Sequence, residues 1–377
     1  MKDTAAQGAH DIAFKSAVFE GCQLRGISRL KDVLPALDPL IFLHAGPPLP
    51  LNDLPNAVHY AVVAAMIFEG LAADPVEAAQ RLANNDVKLL PAQDFGVVTP
   101  LAQVVSASMP VFIVGNDARL CYAPLVEGPP PALRFGSFDP ECWANLKRVS
   151  EFGLEVLDPI IKVRPVSMSS VVASALARGN DCHALVGNAN EAFIDALAQA
   201  PSDAQQQLRA NGAFVLPILM AASAWVLKTS STDLDAVGGN GRRFGVRFKG
   251  SKTWSVSPAS APIGPTIPGL EGRAVLGAIG DSAVIDFCGL GGQALHLAPA
   301  LLADWAAYLP SDHATIADAV IDPETGLVSV KRILSSGVSP LIHLAMLGEG
   351  PQAGLLGKGF FRPALDTFLK SSAGSHP

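Results

Sequence analysis

Residues 280–300 read Gly-Asp-Ser-Ala-Val-Ile-Asp-Phe-Cys-Gly-Leu-Gly-Gly-Gln-Ala-Leu-His-Leu-Ala-Pro-Ala. An acidic residue and a serine, Asp281 and Ser282, follow a glycine. Ala283–Phe287 then reads as a short strand, and the cluster Gly289, Gly291 and Gly292 leads into an apolar helix-like run. Glycines at such a junction let the backbone turn tightly and leave main-chain N–H groups unshielded by a Cβ, so that a phosphate or carboxylate can approach them. The same spacing also serves where nothing binds, closing a turn between a buried strand and a helix.

Upstream, strands and helices alternate. Pro39–His44 reads as a buried strand entering the non-helical Ala45-Gly46-Pro47-Pro48, and Ala57–Ala73 as an alanine-rich helix. Asp74-Pro75 opens a second helix with an N-cap and a proline in its first turn. Val87–Leu90 and Pro110–Gly115 are strands, and Pro124–Pro131 is a rigid connector before Leu133-Arg134-Phe135-Gly136. Helical spacing dominates residues 139–157, 166–178, 187–200 and 213–228, with 200–210 an exposed connection. After a glycine turn at 238–241, strands return at 244–248 and 253–256, and Ser257–Gly272 is a long irregular loop. Helices at 298–308 and 312–320 and a turn and strand at 322–330 follow. The succession predicts an α+β protein with two α/β lobes, residues 1–138 and 237–377, and a mostly helical region, 139–236, between them. The ligand cleft is expected where the lobes meet.

Of the 377 residues, 49% are hydrophobic and 16% charged, well under the ~25% charge of an ordinary soluble domain. So low a charge density predicts surface buried against other subunits. The net charge of −7, without any Lys/Arg run beyond two residues, argues against nucleic acid as a partner. Apolar runs stay short of the ~18 residues of a membrane span, and the N-terminus lacks the apolar core of a signal peptide. Five cysteines occur without a CxxC pair, which fits reduced thiols in a cytoplasmic protein and gives no support to a zinc site.

Leu43–Pro48, Val104–Val111, Leu133–Gly136, Gly179–His183, Asn240-Gly241 with Phe244-Gly245, Gly280–Ala283 and Gly289–Gly292 are short segments that follow in order along residues 41–300. Together they resemble the YlbE/YahG-like family, one branch of which is the AllG subunit of bacterial oxamate carbamoyltransferase. The chain departs from the family pattern at Pro91–Phe95, where a Pro-Cys-His-His-His run is usual. Ala184-Leu185 stand in place of Asn-Arg, and Leu344–Leu347 in place of an Ala-His-Lys/Arg segment.

The resemblance implies carbamoyl transfer between oxalurate and phosphate in bacterial nitrogen catabolism, giving oxamate and carbamoyl phosphate. It also implies partner subunits of the FdrA and AllH kinds, or a homo-oligomer. Two rival readings stay open: a non-catalytic ligand-binding or assembly subunit, and a diverged enzyme for another small amide or carboxylate. Every species in the implied reaction is an anion or planar amide, so the site needs guanidinium or main-chain donors and no redox cofactor; with the His-rich run gone, no metal is expected.

Arg134, after the proline connector, is the candidate anion clamp, with a surface salt bridge as its alternative. His183 is the candidate general acid/base. Asp181, two residues earlier, can orient it only outside a regular helix, because such positions do not share a helical face; the alternative is a capping Asp and a buried hydrogen-bonded His. Asp281 is the third candidate catalytic group, with a cap on the element that follows as its alternative. His44, Gly46, Asn240, Gly241, Ser282, Gly291 and Gly292 complete the expected substrate-binding set. Cys182 and Cys288 read as buried hydrophobes. His44, Arg134, Asp181, His183, Asn240 and Asp281 are expected to approach one cleft.

Overall fold

The computed structural model describes residues 2–351 and 354–370. It is an α+β structure. Its strands are β1 (Gln23–Arg29), β2 (Ile41–His44), β3 (Lys88–Pro91), β4 (Pro110–Gly115), β5 (Leu120–Pro124), β6 (Val166–Ser167), β7 (Leu234–Asn240), β8 (Arg243–Phe248), β9 (Trp254–Pro258), β10 (Ile279–Gly280), β11 (Ile342–Leu347) and β12 (Leu355–Phe361). One antiparallel sheet has the order β5-β4-β1-β6 and a second the order β10-β7-β8-β9. β11 and β12 form a separate antiparallel pair. β2 and β3 are parallel, joined through the helices Asn56–Phe68 and Pro75–Ala83, since parallel neighbours need a crossover.

The helix Leu216–Thr229 ties these parts together. Its residues Pro217–Leu227 are all buried, and it packs against β4 and β5 on one sheet and β7 on the other. Such a helix is apolar all round because no face of it meets water. β4, Pro-Val-Phe-Ile-Val-Gly, sits inside its sheet between β1 and β5 and is buried at five of six positions, as a β-branched, aromatic-rich run should be. Asp74 caps the helix it opens, its carboxylate accepting the N–H groups of Val76 and Glu77 at 2.8 and 2.9 Å. Between Pro258 and Ile279 there is no regular element apart from bridges of Ile263 and Thr266 to β12 and of Val275 to Gly348.

Three expectations are corrected. Ala283–Phe287 is a five-residue helix, not a strand, and all five side chains are buried. A short apolar run has the same composition in either form, and here burial against the Leu216–Thr229 helix, β7 and β11 leaves no alternating wet face to betray it. Gly238, Gly239 and Asn240 lie within β7, and only Gly241, at φ +85°, makes the turn. Glycine is needed inside the strand because a Cβ on Gly238 would stand 2.6 Å from Asp281 Oδ1. Residues 202–210 form a helix rather than an open connection, with Ala204 and Leu208 buried one turn apart. β1, β5 and the β11–β12 pair did not stand out in the sequence.

Candidate functional site

One cavity collects polar side chains in an apolar wall. Arg134, His183, Ser282 and Lys358 line it together with Pro100, Leu101, Phe135, Leu216, Leu344 and other apolar residues. Its volume of about 110 Å³ is several times the ~10–15 Å³ that one water requires, which is room for a small organic molecule.

His183 reaches the cavity from an irregular segment. The helix Met168–Ala177 ends, Gly179 turns at φ +81°, and Cys182 takes the left-handed conformation at φ +67°, uncommon for a side chain-bearing residue. This backbone sends Asp181 and His183 to different partners. His183 Nδ1 lies 2.8 Å from Asp286 Oδ2. Asp181 Oδ2 lies 2.7 Å from Nδ1 of His343 on β11, and its carboxylate also accepts the N–H groups of Ala184 and Leu185 at 2.9 and 2.7 Å. Burial works to raise the Asp181 pKa, but the His343 and backbone donors outweigh it and hold the carboxyl below its ordinary value. The two imidazoles lie side by side, ring centres 6.3 Å apart. The result is two buried Asp–His pairs, of which the Asp286–His183 pair opens to the cavity.

Asp286 is fully enclosed, and its second oxygen accepts the N–H groups of Gly292 at 2.8 Å and His343 at 3.1 Å. Gly291, at φ +54°, has no room for a Cβ, which would overlap Asp286 Oδ1. The turn behind it is held by Lys15 of the helix Lys2–Ala17, whose Nζ donates to the carbonyls of Gly289 and Gln293 at 2.8 and 3.1 Å.

Arg134 is buried in a single 3₁₀ turn, Leu133–Phe135, that ends on Gly136 at φ +63°. Its guanidinium donates to Gly128 O at 2.5 Å, stands 3.8 Å from Glu127 Oε2 and lies over the Phe135 ring at 4.3 Å. Burial lowers its pKa to about 10 against the opposing pull of Glu127, so it stays cationic at neutral pH. Its Nη1 has no hydrogen-bond partner among the described residues. The ion pair with Glu127 is buried, not a surface salt bridge, and the Nη1 that faces Glu127 is the nitrogen without a hydrogen bond among the described residues. Lys358, exposed on β12, adds a second cation and donates to Ala184 O at 3.1 Å.

The other expected site residues lie outside the cavity lining. Asp281 is buried, and its carboxylate accepts the N–H of Gly46 at 2.8 Å, Gln93 Nε2 at 2.6 Å and the N–H of Thr99 at 2.9 Å. Burial raises its pKa to about 7 in spite of these donors. Asn240 donates to Pro47 O at 2.9 Å and accepts from the N–H groups of Arg242 and Arg243, shaping the turn at Gly241. His44 Nδ1 bonds to Ala45 O at 2.8 Å, and burial lowers its pKa to about 4. The amides of Gly46 and Gly292 are thus engaged by the protein's own carboxylates, and that of Gly291 donates to Asp181 O at 2.8 Å. Arg134, His183 and Ser282 meet at the cavity; Gly46 bonds to Asp281 and packs against the main chain of Asn240, whereas among the described residues no hydrogen bond joins His44 or Gly241 to Asp281, and Asp181 pairs with His343.

Asp286, His343 and Lys358 escaped the sequence reading. Asp286 in Ala-Val-Ile-Asp-Phe and His343 in Leu-Ile-His-Leu carried one signal, a single polar residue in an apolar run, which must find a partner if buried. Two departures from the family pattern also face the cavity, Ala184 and Leu344-Ala345. The third does not: Gln93 is buried against Asp281 and the main chain of Val237.

The chain belongs to the family of the oxamate carbamoyltransferase subunit AllG, whose model matches residues 87–282. It is 28% identical to the uncharacterized protein YahG of Escherichia coli (strain K12) over 93% of this chain and 82% of that one. To the oxamate carbamoyltransferase subunit AllG of the same organism it is 24% identical, over 86% of this chain and 87% of that one. The crystal structure of a conserved protein of unknown function from Enterococcus faecalis V583 shares the fold, with a TM-score of 0.81 at 23% identity over 96% of this chain and 95% of that one. Family membership links the chain to a role related to oxamate carbamoyltransferase. Among the described residues no helix is long and apolar enough to cross a membrane, and no three His, Cys, Asp or Glu side chains gather as a metal site would require.

Proposed function

We propose that this chain is a subunit of a carbamoyltransferase-type enzyme whose cavity binds a small anionic amide such as oxalurate or oxamate. The observation that carries the reading is the pairing, in the lining of one cavity, of two cations, Arg134 and Lys358, with an imidazole held by a buried carboxylate. The cations face the carboxylate and phosphate of the reactants. A phosphate oxygen attacks the carbamoyl carbon, and the bond from that carbon to the oxamate nitrogen breaks. His183 Nε2 takes the proton of the attacking phosphate and returns it to the departing nitrogen, so charge and atoms balance. Ser282, whose hydroxyl has no hydrogen-bond partner among the described residues, donates to substrate oxygen.

The cavity draws its lining from each of the stretches 1–138, 139–236 and 237–377, which fits three domains closing on a common cleft. The name of the AllG relative, a subunit, supports assembly with further chains; partners of the FdrA and AllH kinds and a cytoplasmic location belong to the proposal. A second reading, a diverged enzyme for another small amide or carboxylate, is favoured by the apolar wall that Ala184, Leu344 and Ala345 present. The test is carbamoyl phosphate formation from oxalurate and phosphate, by the chain alone and with candidate partner subunits. Turnover that disappears in His183→Gln supports the proposal. A wild-type complex that binds aliphatic ureido acids while ignoring oxalurate supports the second reading.

A further inference from the structure

The geometry points to Asp286 as the positioning residue of the site: it fixes His183 in the tautomer that carries its proton on Nδ1 and turns a lone pair on Nε2 into the cavity. This rests on His183 as the proton-transfer group of the proposed reaction, yet the tautomer itself can be observed without any turnover.

A neutral imidazole has one donor and one acceptor nitrogen, and which is which depends on the partner each finds. Asp286 can only accept from its neighbours. Oδ1 takes two main-chain N–H groups, from Gly292 and His343, and Oδ2 is left for His183 Nδ1 at 2.8 Å. The carboxylate is fully buried. With Nδ1–H committed to Asp286, a neutral His183 has its lone pair on Nε2, the atom that must accept the phosphate proton.

The carboxylate is itself fixed from several sides. Its helix is buried throughout, the missing Cβ of Gly291 admits it, and Lys15 holds the turn that follows. His343 contributes its main-chain N–H to Asp286 while its ring is engaged by Asp181, so the second Asp–His pair serves to seat the first. That assigns Asp181 a place in the site different from the one its spacing suggested. It orients His343 rather than His183.

Asp286→Asn discriminates sharply. The two main-chain donors keep the amide oxygen at the Oδ1 position, so the NH₂ replaces Oδ2 and donates to His183 Nδ1. The proton then moves to Nε2, and the base facing the cavity is lost although packing is retained. The experiment is nitrogen-15 correlation NMR of histidine-labelled protein at pH 8, with His183 assigned by the signal missing from His183→Gln. The wild type should show the Nδ1–H form for His183, and Asp286→Asn the Nε2–H form. In the assembled enzyme kcat should fall by about 10²–10⁴-fold with KM nearly unchanged. An Nε2–H tautomer in the wild type overturns the inference, whether or not the variant folds. An unchanged tautomer in a folded Asp286→Asn overturns it equally. Failure of oxalurate turnover with the tautomers as described leaves the positioning role standing and removes only the carbamoyl-transfer reading.

Discussion

Gly46 donates its main-chain N–H to Asp281 Oδ1 at 2.8 Å across 235 residues of sequence, and the same oxygen takes Gln93 Nε2 at 2.6 Å. Asp281 therefore joins the loop after β2, the turn after β3 and the strand before the Ala283–Phe287 helix. Its oxygens meet donors on both sides. Asp281→Asn puts an amide NH₂ among those donors; with the oxygen kept toward Gly46 and Gln93, the Thr99 N–H loses its acceptor. A buried donor left unpaired costs about 1–3 kcal/mol. Urea unfolding should show a loss of that size, and an unchanged midpoint would remove Asp281 from its linking role.

His44 should give the protein an acid-sensitive contribution to stability. Its pKa is lowered by burial to about 4, from an ordinary value near 6.5. Between these values the unfolded chain binds a proton that the native state refuses, so stability falls as pH drops through that window, by on the order of 3 kcal/mol. Asp281 acts in the opposite sense. Its raised value of about 7 makes the native state hold a proton that the unfolded chain releases, so its contribution is full below about pH 4 and declines toward pH 7. The two partly offset each other in the whole protein. The difference in unfolding free energy between wild type and His44→Gln isolates the histidine: the wild type's margin should shrink from pH 7 to pH 4.5. A margin independent of pH would mean that His44 titrates alike in the folded and unfolded chain and that burial does not lower its pKa.

Gly291→Ala should be much more damaging than Gly250→Ala. Both positions have positive φ, +54° and +79°, but a Cβ at 250 meets nothing within 4 Å while one at 291 overlaps Asp286. The left-handed backbone alone costs roughly 1–2 kcal/mol, and overpacking adds typically 1–3 kcal/mol. Thermal melts should show a clearly larger drop for Gly291→Ala. Equal drops would show that Asp286 yields easily and is not held in place.

What the sequence disclosed and what it hid follow from the range of the interactions. Asp74 caps Val76 and Glu77 within its own turn, and β4 announces itself by composition, so both were readable from a few adjacent residues. His183 and Asp286 are 103 residues apart, and Asp181 and His343 are 162 apart, so no local pattern records either pairing. The glycines were recognised, but their reason was not. Gly291 makes way for a carboxylate of the protein itself, where the spacing left open an external anion or a plain turn. The Asp181-Cys182-His183 spacing was misleading in a similar way, because the positive φ of Cys182 turns the two polar side chains to separate partners.

The claim that the Arg134–His183–Lys358 cavity holds a small anionic amide is tested by calorimetric titration of the protein with oxamate, oxalurate and carbamoyl phosphate, wild type beside Lys358→Met. Lys358 is exposed, and among the described residues its side chain makes one hydrogen bond, to Ala184 O, so its loss should scarcely move the melting temperature. A hydrogen bond to a charged group contributes about 1.5–3 kcal/mol, so affinity should weaken by roughly ten-fold or more. Saturable one-site binding by the wild type, weakened to that extent in the variant, is the predicted result. Equal affinity in both proteins, or no saturable heat with any of the three ligands, would contradict it.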